Sequence, residues 1–156
     1  MAKTRKEKQS ILSKLSVETT TPNIKIVTVA LAEIQRRHLS DPSRRQLYRT
    51  LCDIYHLYRI LKRHHISKQT TRLIASRAGP RNEIAHHPLR IMINAVFPTI
   101  DRRQQSRRFQ ALDFARYKKI SSKRMLKVLE ANEGVAGLAR LNARRRNRQR
   151  RYHVWD

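Results

Sequence analysis

The chain has 156 residues, of which 36 are Lys or Arg and 11 are Asp or Glu, so its formal net charge is +25 at neutral pH. A compact monomer with this excess repels itself, which indicates a polyanionic partner such as nucleic acid. The one cysteine, Cys52, excludes an internal disulfide and a Cys-based zinc cage. No apolar run approaches the roughly 18 residues of a membrane span, and the first 14 residues lack the apolar core of a secretory signal. We therefore expect a cytoplasmic protein that does not bind a membrane, and one associated with the nucleoid if its partner is DNA.

The composition predicts an all-α fold. Only three glycines and five prolines occur, and no Asn-Gly or Asp-Gly turn, so tight hairpins have little material. We expect a compact multi-helix bundle over residues 21–142, in two halves joined near residues 79–88. A basic flexible arm over residues 1–20 and an Arg-rich tail over residues 143–156 flank it, and we expect both extensions to be partly disordered because like charges repel.

The first two predicted helices span residues 24–38 and the residues after position 41. The first contains the β-branched run IKIVTV, but Ile24, Val27, Leu31 and Ile34 share one helical stripe, which favours a helix. The second begins with Asp41 as N-cap and Pro42 as first residue. Its apolar face comprises Leu47, Leu51, Ile54, Tyr55, Tyr58 and Leu61. Its other face carries a basic row, Arg44, Arg45, Arg49, Arg59 and Lys62, of which we select the first three as candidate phosphate contacts.

A third predicted helix begins after Ser67 and ends at Gly79 and Pro80. With the helix before it, it forms a candidate helix-turn-helix unit. Its polar side chains are of the types that contact base edges or phosphates: Lys68, Gln69, Arg72 and Arg77. However, His65 stands where the tight turn usually has Gly, so plain helix packing is the slightly favoured explanation.

After residue 88 the pattern predicts a short, very apolar helix that ends at Pro98 and is the most buried element. Thr99 or Asp101 then begins a long helix through Lys119. Its first two turns hold four arginines, an arrangement that the helix dipole disfavours. We therefore predict that this cluster is the chief docking surface: Arg102, Arg103, Arg107 and Arg108.

Two further helices complete the chain, one capped by Ser121 or Ser122 and one from Val135, with Gly134 at the break. They form a second helix-turn-helix candidate, although the apolar stripe stops at Leu141. No acidic residue occurs between Glu133 and Asp156, whereas seven arginines do: Arg140, Arg144, Arg145, Arg146, Arg148, Arg150 and Arg151. We expect this tail to become ordered when phosphates neutralise it, the alternative being a solvated or targeting tail.

The sequence indicates no enzyme. The acidic residues are scattered, no Gly-rich phosphate loop or nucleophile elbow is present, and the adjacent histidine pairs face different ways on a helix, so we predict no catalytic site, metal or cofactor. The leading hypothesis is a non-enzymatic protein that binds double-stranded DNA through its phosphate backbone, in a regulatory or DNA-organising role and within a larger nucleoprotein complex. The alternatives are an RNA-binding subunit of a ribonucleoprotein, and an interaction protein that docks its basic surface on an acidic protein. The oligomeric state stays open.

Overall fold

The computed structural model describes residues 24–64 and 87–152, and every regular element in these ranges is an α-helix. The all-α prediction is therefore confirmed. The arm over residues 1–20, the helix predicted after Ser67 and residues 153–156 lie outside the described ranges. The six described helices are α1 (Ile24–Ser40), α2 (Arg44–Arg63), α3 (Pro88–Val96), α4 (Arg102–Tyr117), α5 (Ser122–Ala131) and α6 (Gly134–Tyr152).

The ambiguous first segment folds as helix α1. Val27, Ala30, Leu31 and Ile34 are buried, which is the i, i+3, i+4, i+7 spacing of one helical face. A strand would instead have turned alternate residues inward and placed Val27 and Ala30 on opposite sides. The spacing of the apolar positions therefore outweighs the β-branched composition here.

Helix α2 begins two residues later than the sequence predicted, because Ser43 and not Asp41 is its N-cap. The Ser43 hydroxyl accepts a hydrogen bond from the Gln46 backbone N–H at 3.2 Å. Asp41 lies outside the helix and accepts the Ser43 backbone N–H at 3.0 Å. Ser43 thus takes the capping role that the sequence assigned to Asp41, with the Gln46 N–H as the group that it satisfies.

Helix α2 is the centre of the core and contacts α1, α3, α4 and α5. Its inner face includes Leu51, Ile54 and Leu57, none of which has measurable solvent exposure. Helix α3 is buried on nearly all sides, as its sequence predicted. It ends before Phe97, and its N-cap is His87, whose Nδ1 accepts the Leu89 backbone N–H at 3.2 Å. Helices α2 and α3 thus contact each other at the middle of the bundle.

The turn between α5 and α6 depends on two glycines. Gly134 has a φ of +74°, and a Cβ there would lie 1.9 Å from the hydroxyl oxygen of Tyr48 in α2. A Cβ at Gly137 would lie 1.6 Å from the carbonyl oxygen of Asn132. A larger residue at either position would push α6 away from its neighbours, since real Cβ atoms do not approach this closely. The turn therefore fixes where α6 starts.

Helix α6 differs from the sequence-based expectation at its C-terminal end. The predicted boundary between domain and tail, after residue 142, lies inside this helix, which continues to Tyr152. Asn142 is fully buried, and the side chain of Arg145 is only 16% exposed. The tail thus begins as an integral part of the bundle, because α6 makes its most extensive contact with α4. A buried carboxylate in α4 forms part of this contact between the two helices.

Candidate nucleic-acid interface

Asp113 in α4 is the buried carboxylate that holds α6. One of its oxygens, Oδ1, accepts hydrogen bonds from the Nη2 and Nε atoms of Arg116 at 2.8 and 3.1 Å. The other, Oδ2, accepts from Arg145 at 3.1 Å and Asn142 at 3.3 Å, and Arg146 lies 3.5 Å away. Burial alone would raise the pKa of Asp113, but the hydrogen bonds and arginine charges lower it below its ordinary value. The carboxylate is therefore ionised and joins α6 to α4.

After Arg145, which binds Asp113, helix α6 extends beyond its contacts with the bundle. Arg145 lies against the ring of Tyr117, its guanidinium carbon 4.2 Å from the ring centroid, and every side chain from 146 to 150 is exposed. At 1.5 Å per residue, the last seven residues extend by about 10 Å. We call the exposed arginines of this part the α6 extension: Arg146, Arg148 and Arg150. On this helix Arg146 and Arg150 lie on one side and Arg148 lies on the other.

The other predicted tail arginines have different roles. Arg140 forms an ion pair with Glu133, and Arg144 is exposed two residues before the extension. Arg145 is committed to Asp113 and Tyr117. Arg151 belongs to the helix, but its side chain lies outside the described part.

The arginines at the start of α4 do not form the four-residue docking surface that the sequence suggested. Arg102, Arg103 and Arg107 are exposed, but Arg108 is only 8% exposed and stacks on Phe97, its guanidinium carbon 4.0 Å from the ring centroid. Burial lowers the pKa of Arg108. Arg108 points inward because helical spacing places it on the same face as Ala111, Leu112 and Ala115, which are buried. It packs on Phe97, and its Nη1 atom is buried without a hydrogen-bond partner among the described residues.

The predicted contacts on α2 lie at its first turns. Arg45 and Arg49 are exposed, whereas Arg44 donates a hydrogen bond from its Nε to the hydroxyl of Tyr48 at 2.7 Å. Arg45 precedes Arg59, near the other end of α2, by about 21 Å along the helix axis. The selected residues that the structure describes therefore lie in the first turns of α2 and α4 and along α6. The predicted candidates Lys68, Gln69, Arg72 and Arg77 lie outside the described residues.

Sequence reasoning missed a basic cleft where α2 and α4 end. Its volume is about 450 Å³. Two tyrosines and five cationic side chains line it: Tyr55, Tyr58, Arg59, Lys62, Arg63, Arg116 and Lys119. Arg59 and Lys62 stood in the basic row of α2, but basic residues in a last helical turn are ordinary partners of the helix dipole. Nothing in the sequence shows that the last turns of α2 and α4 meet.

Two other kinds of site are absent from the described residues. In these ranges no three His, Cys, Asp or Glu side chains are grouped so that they could hold a metal ion. None of the helices seen there is long and apolar enough to cross a membrane. Comparisons with known protein families, with curated proteins and with solved structures found no match to this chain.

Proposed function

We propose that this protein binds double-stranded DNA through the phosphate backbone and that the α6 extension is its chief contact. The observation that supports this proposal is the exposure of Arg146, Arg148 and Arg150 on a helix that projects from the folded body. Within the described residues, the one carboxylate within 4 Å of any of these three is Asp113, which Arg145 and Arg116 already neutralise. The extension thus keeps an unbalanced positive charge.

The anchoring of α6 lowers the cost of binding. Arginines on a loose segment must be ordered when they meet phosphates, and each immobilised side chain costs about 0.5–1.5 kcal/mol. Here the helix is already fixed by Asp113 and Asn142, so only the ends of the side chains remain to be ordered. In this proposal the tail meets the phosphates as a helix as far as residue 152.

The shape of the extension favours a duplex over a single strand. Proteins that bind single strands stack bases on exposed aromatic rings. Among the described residues, Tyr117 is the one large aromatic side chain that is exposed, and Arg145 already lies over its ring. The major groove of B-form DNA is about 12 Å wide and admits a helix, whereas the corresponding groove of A-form RNA is too narrow. We therefore place DNA before RNA.

The test compares two variants that lose the same charge. One carries R146Q, R148Q and R150Q in the extension. The control carries K123Q, R124Q and K127Q, three exposed residues of α5. Fluorescence anisotropy measures affinity for a short DNA duplex, the matching RNA duplex and the single strand over a range of salt. For the unmodified protein we expect a decrease of about a thousandfold between 50 and 200 mM salt, which corresponds to six or more phosphate contacts.

Affinity decreases with salt, and the slope of log affinity against log salt is about −0.9 for each phosphate contact. We expect the extension variant to make this slope shallower by about 2 to 3. The control should make it shallower by less than about 1. Equal losses in both variants would show that overall charge and not α6 governs binding. Tighter binding of the RNA duplex would favour the ribonucleoprotein alternative, and a flat salt response with tight binding of an acidic protein would favour the interaction-protein alternative.

A further inference from the structure

The cleft at the ends of α2 and α4 is built from fixed groups. Its floor contains Tyr55 and Tyr58, which are 2% and 5% exposed. The Tyr55 hydroxyl donates to the carbonyl oxygen of Ile120 at 2.9 Å, and Arg59 reaches the same carbonyl at 3.4 Å. The guanidinium carbon of Arg59 lies 6.0 Å from the Tyr55 ring centroid. The floor and one wall are therefore held by the connection between α4 and α5.

The opposite wall is held by Asp113. Arg116 uses its Nε and Nη2 atoms to bind one oxygen of this buried carboxylate, so its guanidinium plane is fixed and its Nη1 is not part of that ion pair. Burial lowers the pKa of Arg116, but the bonds to Asp113 raise it by more, and the side chain stays cationic. Lys62, Arg63 and Lys119 are exposed at the rim and have no carboxylate within 4 Å among the described residues.

Helix dipoles do not account for this much charge. The C-terminal ends of α2 and α4 meet here, and each contributes about half a negative elementary charge. The two ends therefore balance about one of the five cationic side chains. Asp113 reduces the excess further, because Arg116 binds it at 2.8 Å and shares it with Arg145 from α6. Among the described residues, an excess of about three to four positive charges remains in a cleft of about 450 Å³.

We infer that the cleft binds a linear triphosphate chain, as in a nucleoside triphosphate or inorganic tripolyphosphate. A terminal phosphate carries about −2 and each inner phosphate about −1, so a nucleoside triphosphate carries about −4 and tripolyphosphate, with two terminal phosphates, about −5. Either ligand takes up the whole excess, whereas a single phosphate leaves part of it unbalanced. The volume lies in the range of small-ligand sites. Among the described residues, no Asn, Gln, Asp or Glu lines the cleft, so this part of the chain offers no side-chain amide or carboxylate to read a base. Recognition therefore rests on the phosphate chain.

Isothermal titration calorimetry at physiological salt tests this site with tripolyphosphate, ATP, GTP and orthophosphate. The cleft variant carries K62Q, R63Q and K119Q, which leaves Asp113 and both tyrosines in place. The controls are the α5 and α6-extension variants, which lose the same charge elsewhere. We expect one tripolyphosphate per chain, similar affinity for ATP and GTP, and binding about tenfold weaker for orthophosphate. We also expect the cleft variant to bind tripolyphosphate about tenfold more weakly and both controls to be unchanged.

A footprint on the unmodified protein provides a second measurement that does not depend on the variants' folding. Saturating tripolyphosphate should protect Lys62 and Lys119 from acetylation and leave Lys123 and Lys127 reactive. Several ligands per chain, equal losses in all three variants, or uniform protection would overturn the inference, as would a nucleotide that binds tenfold more tightly than tripolyphosphate. Because the extension variant keeps the cleft, failure of the DNA proposal would not change these expected results.

Discussion

Ending the chain after Leu141, within α6, should destabilise the protein, whereas ending it six residues later, after Asn147, should not. A chain ending after Leu141 loses the side chains of Asn142 and Arg145, both of which bind Asp113. A chain ending after Asn147 keeps them and loses Arg148 and Arg150, which are exposed. Both variants create a new terminal carboxylate at the end of a shortened helix, so this effect largely cancels in their comparison.

The expected difference follows from the burial of Asp113, whose side chain is 2% exposed. Removing the partner of a buried ion pair costs about 3–5 kcal/mol. Arg116 still binds the other oxygen of Asp113, which reduces this cost, and the lost stacking of Arg145 on Tyr117 adds to it. We therefore expect the shorter chain to lose about 3 kcal/mol of stability. The longer truncated chain should change by less than about 0.5 kcal/mol.

Thermal melts followed by circular dichroism measure both changes. At about 4 °C per kcal/mol for a domain of this size, the chain ending at Leu141 should melt about 12 °C lower than the full chain. The chain ending at Asn147 should melt within about 2 °C of it. If both truncated chains melt together near the full chain, the contacts of Asp113 with α6 do not contribute to stability and residues 142–147 belong to a dispensable tail.

Three further predictions concern the core, the buried arginine and pH. Leu51→Ala should lower the free energy of unfolding, measured by urea denaturation, by about 2–5 kcal/mol because the Leu51 side chain is fully buried. Arg45→Ala should lower it by less than about 0.5 kcal/mol. Similar losses in the two variants would show that α2 is not central to the core. Arg108→Ala should lower the melting temperature because Phe97 loses its packing partner. Arg108→Met should retain the stability because it fills the same space without a buried charge. A melting temperature that is lower for the Met variant than for the Ala variant would refute the packing role. Burial, and after it the charge of Arg116, lowers the pKa of His87 in the folded protein below its ordinary value of 6.5. On acidification His87 is therefore protonated in the unfolded chain before it is protonated in the folded protein, so stability decreases as the pH falls below about 6.5. His87→Asn replaces the capping Nδ1 with an amide oxygen that does not titrate, so it should show a smaller decrease in melting temperature between about pH 8 and pH 5; an unchanged decrease would assign it to other groups.

The sequence predicted part of the candidate interface. It singled out the arginines of the α6 extension because they occur without acidic residues nearby. It did not distinguish Arg145 or Arg108 from their exposed neighbours, since all are arginines in basic runs. Their burial depends on Asp113 and Phe97, which precede them by 32 and 11 positions along the chain. A local charge pattern contains no information on such partners.

The sequence by itself determined the helices, because the spacing of apolar residues such as Leu51, Ile54 and Leu61 records which face of a helix leaves water. It also placed the turn at Gly134, where backbone geometry is local. The tertiary structure alone decided where the charges lie. Arg59 and Arg116 meet in one cleft because α2 and α4 end side by side, and α6 continues as a helix because Asp113 is buried beneath it. Hydrophobic periodicity is a property of one segment, whereas electrostatic surfaces are sums over segments that only packing brings together.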